Sequence, residues 1–468
     1  MFLYLRSVPA FHRPYFRPAL FAVLGMGLLI WGINYVYDRP LFLDEANLAR
    51  NLYDRSFAGL FRPLDHEQYA PPLYLLLTKL LAELLGYLEY VLRLPALLGG
   101  IIGIVALFRA GQRLQLGHWT LLPLALLFVN PTVLHYVTEF KPYGTDLGVA
   151  ACLLAAELRP ARGNKLAWGL AGVLLPWVSL PSVFVLAAIG LRRLRTDIRW
   201  LAVIGLWLAS FGVLYYLVLR TSVGSSYLND FHAPYFMPLP FSGEALQQSG
   251  TLFFSLLRLT YGFTVAALLW GASTLLIGLC SASVRRHAWL LLPLLVSIAA
   301  SHFRLYTLID RLMLFALPGV WLFTAVAARW IYTSLSKWPG YAYLAAVLIT
   351  LGGTNIYRAV LRPYRFNDGR RLAELAEGNV PYVADLGAVP VLDYYLRVKP
   401  ERSGPMAINR PEPGAPLPYR RVRVLFDGTN HGPTRQVIRE YEQRATERGC
   451  NVSWIEFYLS GSLDIKCP

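Results

Sequence analysis

Residues 19–45, ALFAVLGMGLLIWGINYVYDRPLFLDE, decide the fold of this chain. The stretch 19–37 is apolar and close to the ~20 residues that a helix needs to cross a bilayer. Asp44 and Glu45 follow a few residues after it ends. A carboxylate beside a membrane is costly unless it is solvated, paired or used, so this acidic pair is a site candidate.

Composition extends that reading to most of the chain. Of 468 residues 56% are hydrophobic and 15% charged, and the mean hydropathy is +0.43. These values exclude one soluble core and fit a polytopic membrane protein. Eleven crossings are expected, at 19–37, 89–108, 119–138, 144–158, 166–180, 181–191, 200–219, 251–280, 288–303, 312–330 and 341–357. The fifth and sixth are short and interrupted by Pro176 and Pro181, which leaves a re-entrant pair open.

The net charge of +16 follows from short loops rather than from a nucleic-acid surface. Arg6, His12, Arg13 and Arg17 precede the first crossing, and no small-residue cleavage site follows it, which reads as an uncleaved signal anchor with a cytoplasmic N-terminus. Arg109 and Arg113, then Arg159, Arg162 and Lys165, Arg192 to Arg199, Arg285 and Arg286, and Arg329 with Lys337 fall on that same side, as the positive-inside rule requires. This count needs 71–86, which carries Lys79 and Glu83, to lie in the membrane surface as an interfacial helix. As a span it would put the arginines outside.

Three regions then face outward: 38–88, 220–250 and a tail from 358 to 468. The tail turns rich in Arg, Pro and Glu and reads as a small soluble α/β domain. Strands are expected at 380–384, 422–426 and 452–459, the first an edge strand because of Pro381, with a polar helix at 434–448. Cys152 and Cys280 read as packing residues. Cys450 and Cys467 share the outer tail, where a disulfide or two free thiols both suit the compartment. There is no internal repeat.

The chemistry-bearing residues gather in the outer regions. Asp44 and Glu45 open an amphipathic helix with Leu48, Leu52 and Phe57 on one face. Asp44 suits a helix N-cap and also a general base acting on an acceptor hydroxyl or amine. Asp65, His66 and Glu67 lie in the same loop, just before Tyr69. His66 suits either a polar loop residue or a divalent-metal ligand, though no metal-spacing motif accompanies it. Basic residues at the outer ends are Arg93, Lys141 between Glu139 and Tyr143, and His302, Arg304 and Arg311, with Asp310 beside the last. Cations at this depth suit a lipid phosphate. Against that, Arg93 could snorkel, Lys141 could pair with Glu139 or Asp146, and Asp310 with Arg311 could form a local pair.

The order LDEA (43–46), APPLYLLL (70–77), EYVLRLPALLGG (89–100) and NPTVLHYVTEFKPYGTDLG (130–148) resembles the bacterial lipid-linked-sugar glycosyltransferases of the GT-C superfamily. That group is similar to protein mannosyltransferases, the aminoarabinose transferase of lipid A and rhizobial galacturonosyl transferases. The likeness covers the first third, and DRLMLFALP (310–318) looks like a later element. It implies a helical membrane bundle that takes a sugar from a polyprenyl phosphate in the bacterial inner membrane to an extracytoplasmic acceptor. Asp44 would be the catalytic base with Glu45 beside it, and Lys141, Arg93, Arg311 and Arg304 would meet the donor phosphate. His66, Glu67, Tyr69, Glu139, Tyr143 and Asp146 would line the site. Many relatives carry His-Pro-Pro where this chain has Ala70-Pro71-Pro72, so a metal role for that histidine does not carry over, although His66 stands nearby. A multi-pass transporter or flippase of lipid-linked glycans is the alternative. It would place its charges near mid-span, whereas these gather at one interface.

Overall fold

The computed structural model describes residues 16–334 except 38, 160–163, 240, 263 and 264, the isolated positions 338, 342 and 345, residues 367–398 except 377–379 and 386, and residues 420–468 except 430 and 431. The eleventh expected crossing, 341–357, the domain boundary at 357/358, and Arg6, His12, Arg13, Arg162 and Lys337 lie outside the described residues.

Helices build most of the chain. Among the described residues four are long and apolar enough to cross a membrane: α1 (Phe16–Val36), α4 (Glu89–Arg113), α10 (Trp200–Leu219) and α15 (Asp310–Ser334). The third expected crossing is a broken one, Gly117–Val129 followed by Pro131–Val137 at 66°; we label its parts α5 (Leu121–Val129) and α6 (Pro131–Val137). The break falls at Asn130, whose side chain accepts the N–H groups of Thr132 and Val133 and so caps the second piece, with Pro131 at its first position. Helix α7 (Tyr143–Glu157) packs tightly on α4. Glycines permit that approach: a Cβ on Gly144 would stand 2.5 Å from the Ala96 carbonyl oxygen, the small-residue contact that lets helices meet within a membrane.

Helices α8 (Lys165–Val178) and α9 (Ser182–Leu194) are separate and short. Between α10 and the next long helix lies the short α11 (Ser226–His232). The expected crossing 251–280 is instead two helices, α12 (Gly243–Tyr261) and α13 (Val265–Cys280). Gly262 ends the first with φ +95°, a conformation that L side chains rarely adopt. The apolar helix α14 (Ala288–His302) precedes α15. By length and composition four helices among the described residues, or five with the bent pair, qualify as spans, so the expected count of eleven would need the shorter helices and the stretch 341–357 as well.

The first outer region contributes α2 (Leu43–Asp54) and α3 (Pro72–Leu85). Only fourteen residues long, α3 falls short of a span. Its Lys79 is buried, pairs with Glu83 at 2.7 Å and donates to the Leu52 carbonyl at 2.8 Å. Leu48 and Leu52 are buried as expected, but α2 stops at Asp54 and Phe57 is exposed, lying beneath the Lys79 ammonium.

The tail folds as a four-stranded sheet in the order β1-β2-β4-β3, with β1 (Tyr382–Ala384), β2 (Arg421–Asp427), β3 (Asn451–Glu456) and β4 (Ser460–Lys466). β1 is an edge strand, parallel to β2, and the other pairs are antiparallel. The expected single run 452–459 is thus the first arm of a hairpin. Helices α16 (Gly369–Ala376), α17 (Ala388–Val398) and α18 (Gly432–Glu447) complete the unit. Cys450 and Cys467 are joined by a disulfide.

This unit is docked, not tethered. Leu41, Leu48, Leu52 and Leu92 share one buried cluster with Leu372, Leu392, Tyr395 and Leu425. Arg50 pairs with Asp393, and Arg397 bridges Asp393 and Asp54.

Candidate active site

The connection from α1 into α2 places the acidic pair. Glu45 occupies the third position of α2, and its Oε2 accepts the Phe42 N–H, closing the first turn. Phe42, not Asp44, is the N-cap residue. Successive helical residues point about 100° apart, so Asp44 and Glu45 face different neighbours.

Glu45 is fully buried and its carboxylate is taken up by the fold. It accepts from Arg93 Nε and Nη2, both at 2.9 Å, and from the Phe140 N–H at 2.7 Å. The neighbouring Arg93 and these donors hold its carboxyl well below the usual carboxylate range, against the effect of burial. Arg93 is just as fully engaged: Nη1 donates to the Arg39 carbonyl and Nη2 reaches that of Pro40, at 2% exposure. Four of the five N–H donors of Arg93 are thus taken up inside the fold, which sets it to holding α2 and the segment before it rather than to facing the cluster, and Glu45 is not free to take a proton.

Asp44 turns the other way. Its Oδ2 stands 3.5 Å from Arg311 Nη1, with both side chains about one-third exposed. Lys141, in the turn between α6 and α7, is buried and donates to Gln68 Oε1 at 2.7 Å. Burial pulls the Lys141 ammonium below the usual lysine range; Asp44 opposes this most among the surrounding charges, and Arg311 adds to it. Three segments distant in sequence thus bring one carboxylate and two cations together. Lys141 forms no ion pair with Glu139 or Asp146 among the described residues.

The other expected residues divide. Glu139 is buried and paired with His135 and Arg39, and Tyr143 packs edge-on against Tyr136 at 5.0 Å beside Arg311. Asp146 is buried in the first turn of α7, near the Tyr69 and Tyr74 hydroxyls. Burial raises the Tyr69 hydroxyl further above the ordinary phenol range. His66 and Glu67 are exposed and have consecutive positive φ of 63° and 54°, a strained turn that aims Gln68 inward. Arg304 sits on an exposed turn with φ +56°. Among the described residues no three His, Cys, Asp or Glu side chains converge on a common point, so the donor set does not fit a divalent metal, and His66 lacks partners for one.

Gln68, Arg39 and His135 escaped the sequence reading. Arg39 Nη2 donates to the Thr138 carbonyl at 3.0 Å, and Nη1 faces His135 Nδ1 at 3.2 Å. The signal for Arg39 was its place directly after the first span; nothing in sequence marks a glutamine as inward-facing.

Below the cluster opens an apolar groove of about 700 Å³ between α3, α4, α7 and α8, walled by Leu77, Leu98, Ile102, Val149 and Leu175. Tyr74, a buried lining residue, stacks on Phe140 at 6.4 Å, next to Lys141 in sequence. The first-loop helix α3 roofs it, and Arg159 and Asn164 lie at the far end.

No protein-family description matches the chain, and no curated protein matches it. Solved structures do. ArnT from Cupriavidus metallidurans in the apo state aligns with a TM-score of 0.52 and 16% identity over 95% of this chain and 97% of that one. ArnT of the same organism bound to undecaprenyl phosphate aligns at 0.53 and 14% identity with the same coverage. Identity this low speaks for architecture alone: the chain, a helical bundle with a C-terminal sheet unit, has the fold of ArnT.

Proposed function

We propose that the chain is an integral membrane glycosyltransferase that moves one sugar from a polyprenyl-phosphate carrier to an extracytoplasmic acceptor. The observation that carries this reading is the meeting of Asp44, Lys141 and Arg311, with an apolar groove whose lining residue Tyr74 stacks on Phe140, the neighbour of Lys141. The groove suits the polyprenyl tail, and Lys141 and Arg311 suit the phosphate at its head. The related fold of ArnT bound to undecaprenyl phosphate supports a carrier of this class. The N-terminus is assigned to the cytoplasm and the tail unit, 358–468, to the outer side of the inner membrane.

The chemistry is one displacement with inversion. The bond from the anomeric carbon to the phosphate oxygen breaks, and its electron pair leaves with the polyprenyl phosphate. Lys141 and Arg311 stabilise the charge that develops there. The acceptor oxygen or nitrogen bonds to the anomeric carbon from the opposite face, and its proton passes to Asp44. Gln68 fixes the Lys141 ammonium; the Glu45–Arg93 pair fixes the helix that carries Asp44.

Membranes containing wild type, Asp44→Asn or Lys141→Ala at matched protein levels, given radiolabelled polyprenyl-phosphate sugars and cell-envelope acceptors, test the reading. Transfer by wild type alone is expected. Equal transfer by Asp44→Asn overturns the assignment of the base, and no transfer by wild type from several donors favours the transporter class.

A further inference from the structure

A second cavity, of about 590 Å³, lies between α12 and the start of α15 and is closed at one end by Pro234 and Tyr235. Glu244, Gln248, Thr251, Ser255 and Arg258 line it from α12. Their spacing of four, three, four and three residues makes one continuous stripe along that helix, roughly 21 Å long at 1.5 Å per residue. Phe253 and Phe254, elsewhere on the same helix, are 59% and 50% exposed, as side chains that face lipid would be. The stripe continues through Thr251, Ser255 and Arg258, inside the expected crossing 251–280, where polar side chains are expensive unless they face water or a ligand.

The stripe has hydrogen-bonding capacity to offer. Gln248, in the cavity lining, is fixed by its Nε2, which donates to the Pro234 and Phe236 carbonyls at 3.2 and 3.0 Å. Across the cavity stands Asp310, 3.9 Å from Arg258 Nη2. The next residue, Arg311, is the one that meets Asp44. The cavity and the candidate active site therefore share a wall, on the side away from the apolar groove, which α3, α4, α7 and α8 enclose.

We propose that this cavity is the binding subsite for the saccharide end of the acceptor, and that it takes hydroxyl- or amine-bearing sugar and disfavours phosphorylated sugar. The inference rests on the transferase reading above and names the substrate class of that site. Two carboxylates against one guanidinium repel phosphate, whereas carboxylate, amide and hydroxyl side chains are the partners that sugar hydroxyls and amines need. The volume falls within the range of small-ligand pockets. An acceptor held here presents its nucleophile past Arg311 to Asp44, while the donor arrives from the groove on the other side.

The test uses the purified full chain in nanodiscs and three radiolabelled probes: a glucosamine disaccharide, its N-acetylated form and its bisphosphate, with undecaprenyl phosphate binding measured in parallel. Saturable binding of the first two, weaker for the bisphosphate, is expected. Glu244→Gln and Gln248→Ala should each weaken disaccharide binding about three- to tenfold, the worth of one hydrogen bond, and leave undecaprenyl phosphate binding unchanged. Thr251→Ala, an exposed and milder change, should give a smaller loss and guards against misfolding of the other two. Lys141→Ala should do the reverse, losing undecaprenyl phosphate and keeping the disaccharide. Tighter binding of the bisphosphate, no saturable binding of any probe, or insensitivity to all three cavity substitutions overturns the inference. Undecaprenyl phosphate that fails to bind, or binds regardless of Lys141, sinks the donor reading instead, and the saccharide measurements report separately.

Discussion

Replacing Glu45 by glutamine should damage the fold, whereas replacing Asp44 by asparagine should damage the reaction. In the first case a guanidinium that is 2% exposed loses the carboxylate that meets its Nε and Nη2. Removing one partner of a buried ion pair costs about 3–5 kcal/mol, because the remaining charge stays buried without compensation. Unfolding entropy of ~2.1 cal/mol/K per residue over 468 residues amounts to ~1 kcal/mol/K, so a fall in Tm of about 3–5 °C is expected for Glu45→Gln. The Asp44–Arg311 pair is partly exposed and 3.5 Å apart, worth ~0–1 kcal/mol, and Asp44→Asn should melt within about 1 °C of wild type. Loss of a general base should lower its transfer rate by ~10²–10⁴. Melting by intrinsic fluorescence in detergent, together with transfer rates at matched folded protein, separates the two. A Glu45→Gln variant that melts like wild type, beside an Asp44→Asn variant that transfers at the wild-type rate, would refute the division of roles.

Lys141→Ala should abolish retention of undecaprenyl phosphate in a pull-down, and wild-type retention should fade as pH rises at a value below the ordinary lysine pKa of 10.5, since burial favours the neutral amine. Retention constant to about pH 11 would contradict this. In the tail unit, burial pushes the Asp427 carboxyl from 3.8 up to about 7, so folding favours the protonated acid. The stability it gives is fully present below pH ~4 and lost as pH rises through ~7, on the order of 4 kcal/mol in all. Hydrogen exchange of β2 at about pH 5.5 and about pH 8 should differ in wild type and not in Asp427→Asn; equal exchange in wild type would count against it. Reducing the Cys450–Cys467 bridge, which spans 17 residues, should destabilise the β3–β4 hairpin by about 3 kcal/mol, measured as faster proteolysis after dithiothreitol, and unchanged cleavage would show that the sheet holds without it.

The sequence disclosed what depends on local pattern and hid what depends on orientation. The uninterrupted apolar runs of α1, α4 and α15 announced themselves, and the Lys79–Glu83 spacing marked α3 as short of a span. Strand β4 stayed hidden because it begins Ser460-Gly461-Ser462, residues with little strand preference. They serve the interior instead: Ser460 Oγ donates to Asp427 Oδ1 at 2.9 Å and accepts the Asp368 N–H. Arg93 misled for a related reason. A cation near the end of an apolar run reads as facing headgroups or phosphate, and only the return of α2 over α4 supplies the buried carboxylate that claims it. Asp44 and Glu45 were legible as a pair and not as two roles, because adjacency in sequence is divergence on a helix.

The tail unit is bound closely to the first loop, and its contacts bear on where Asp44 points. The backbone entering α2 is held from both sides at Leu41: its N–H donates to the Tyr395 hydroxyl at 2.9 Å, and its carbonyl accepts from Asn367 Nδ2 at 3.1 Å. The Tyr395 hydroxyl in turn donates to Glu89 Oε1, which Arg370 also meets, at the start of α4. One turn along α4, Arg93 holds the carbonyls of Arg39 and Pro40 and the carboxylate of Glu45. The segment that carries Asp44 is therefore gripped by the membrane helix from beneath and by the tail unit from above. A general base misplaced by about 1 Å costs ~10² in rate. With Asp44 as the proposed base, the tail would act on the reaction through the placement of Asp44, with no contact of its own to the donor phosphate required.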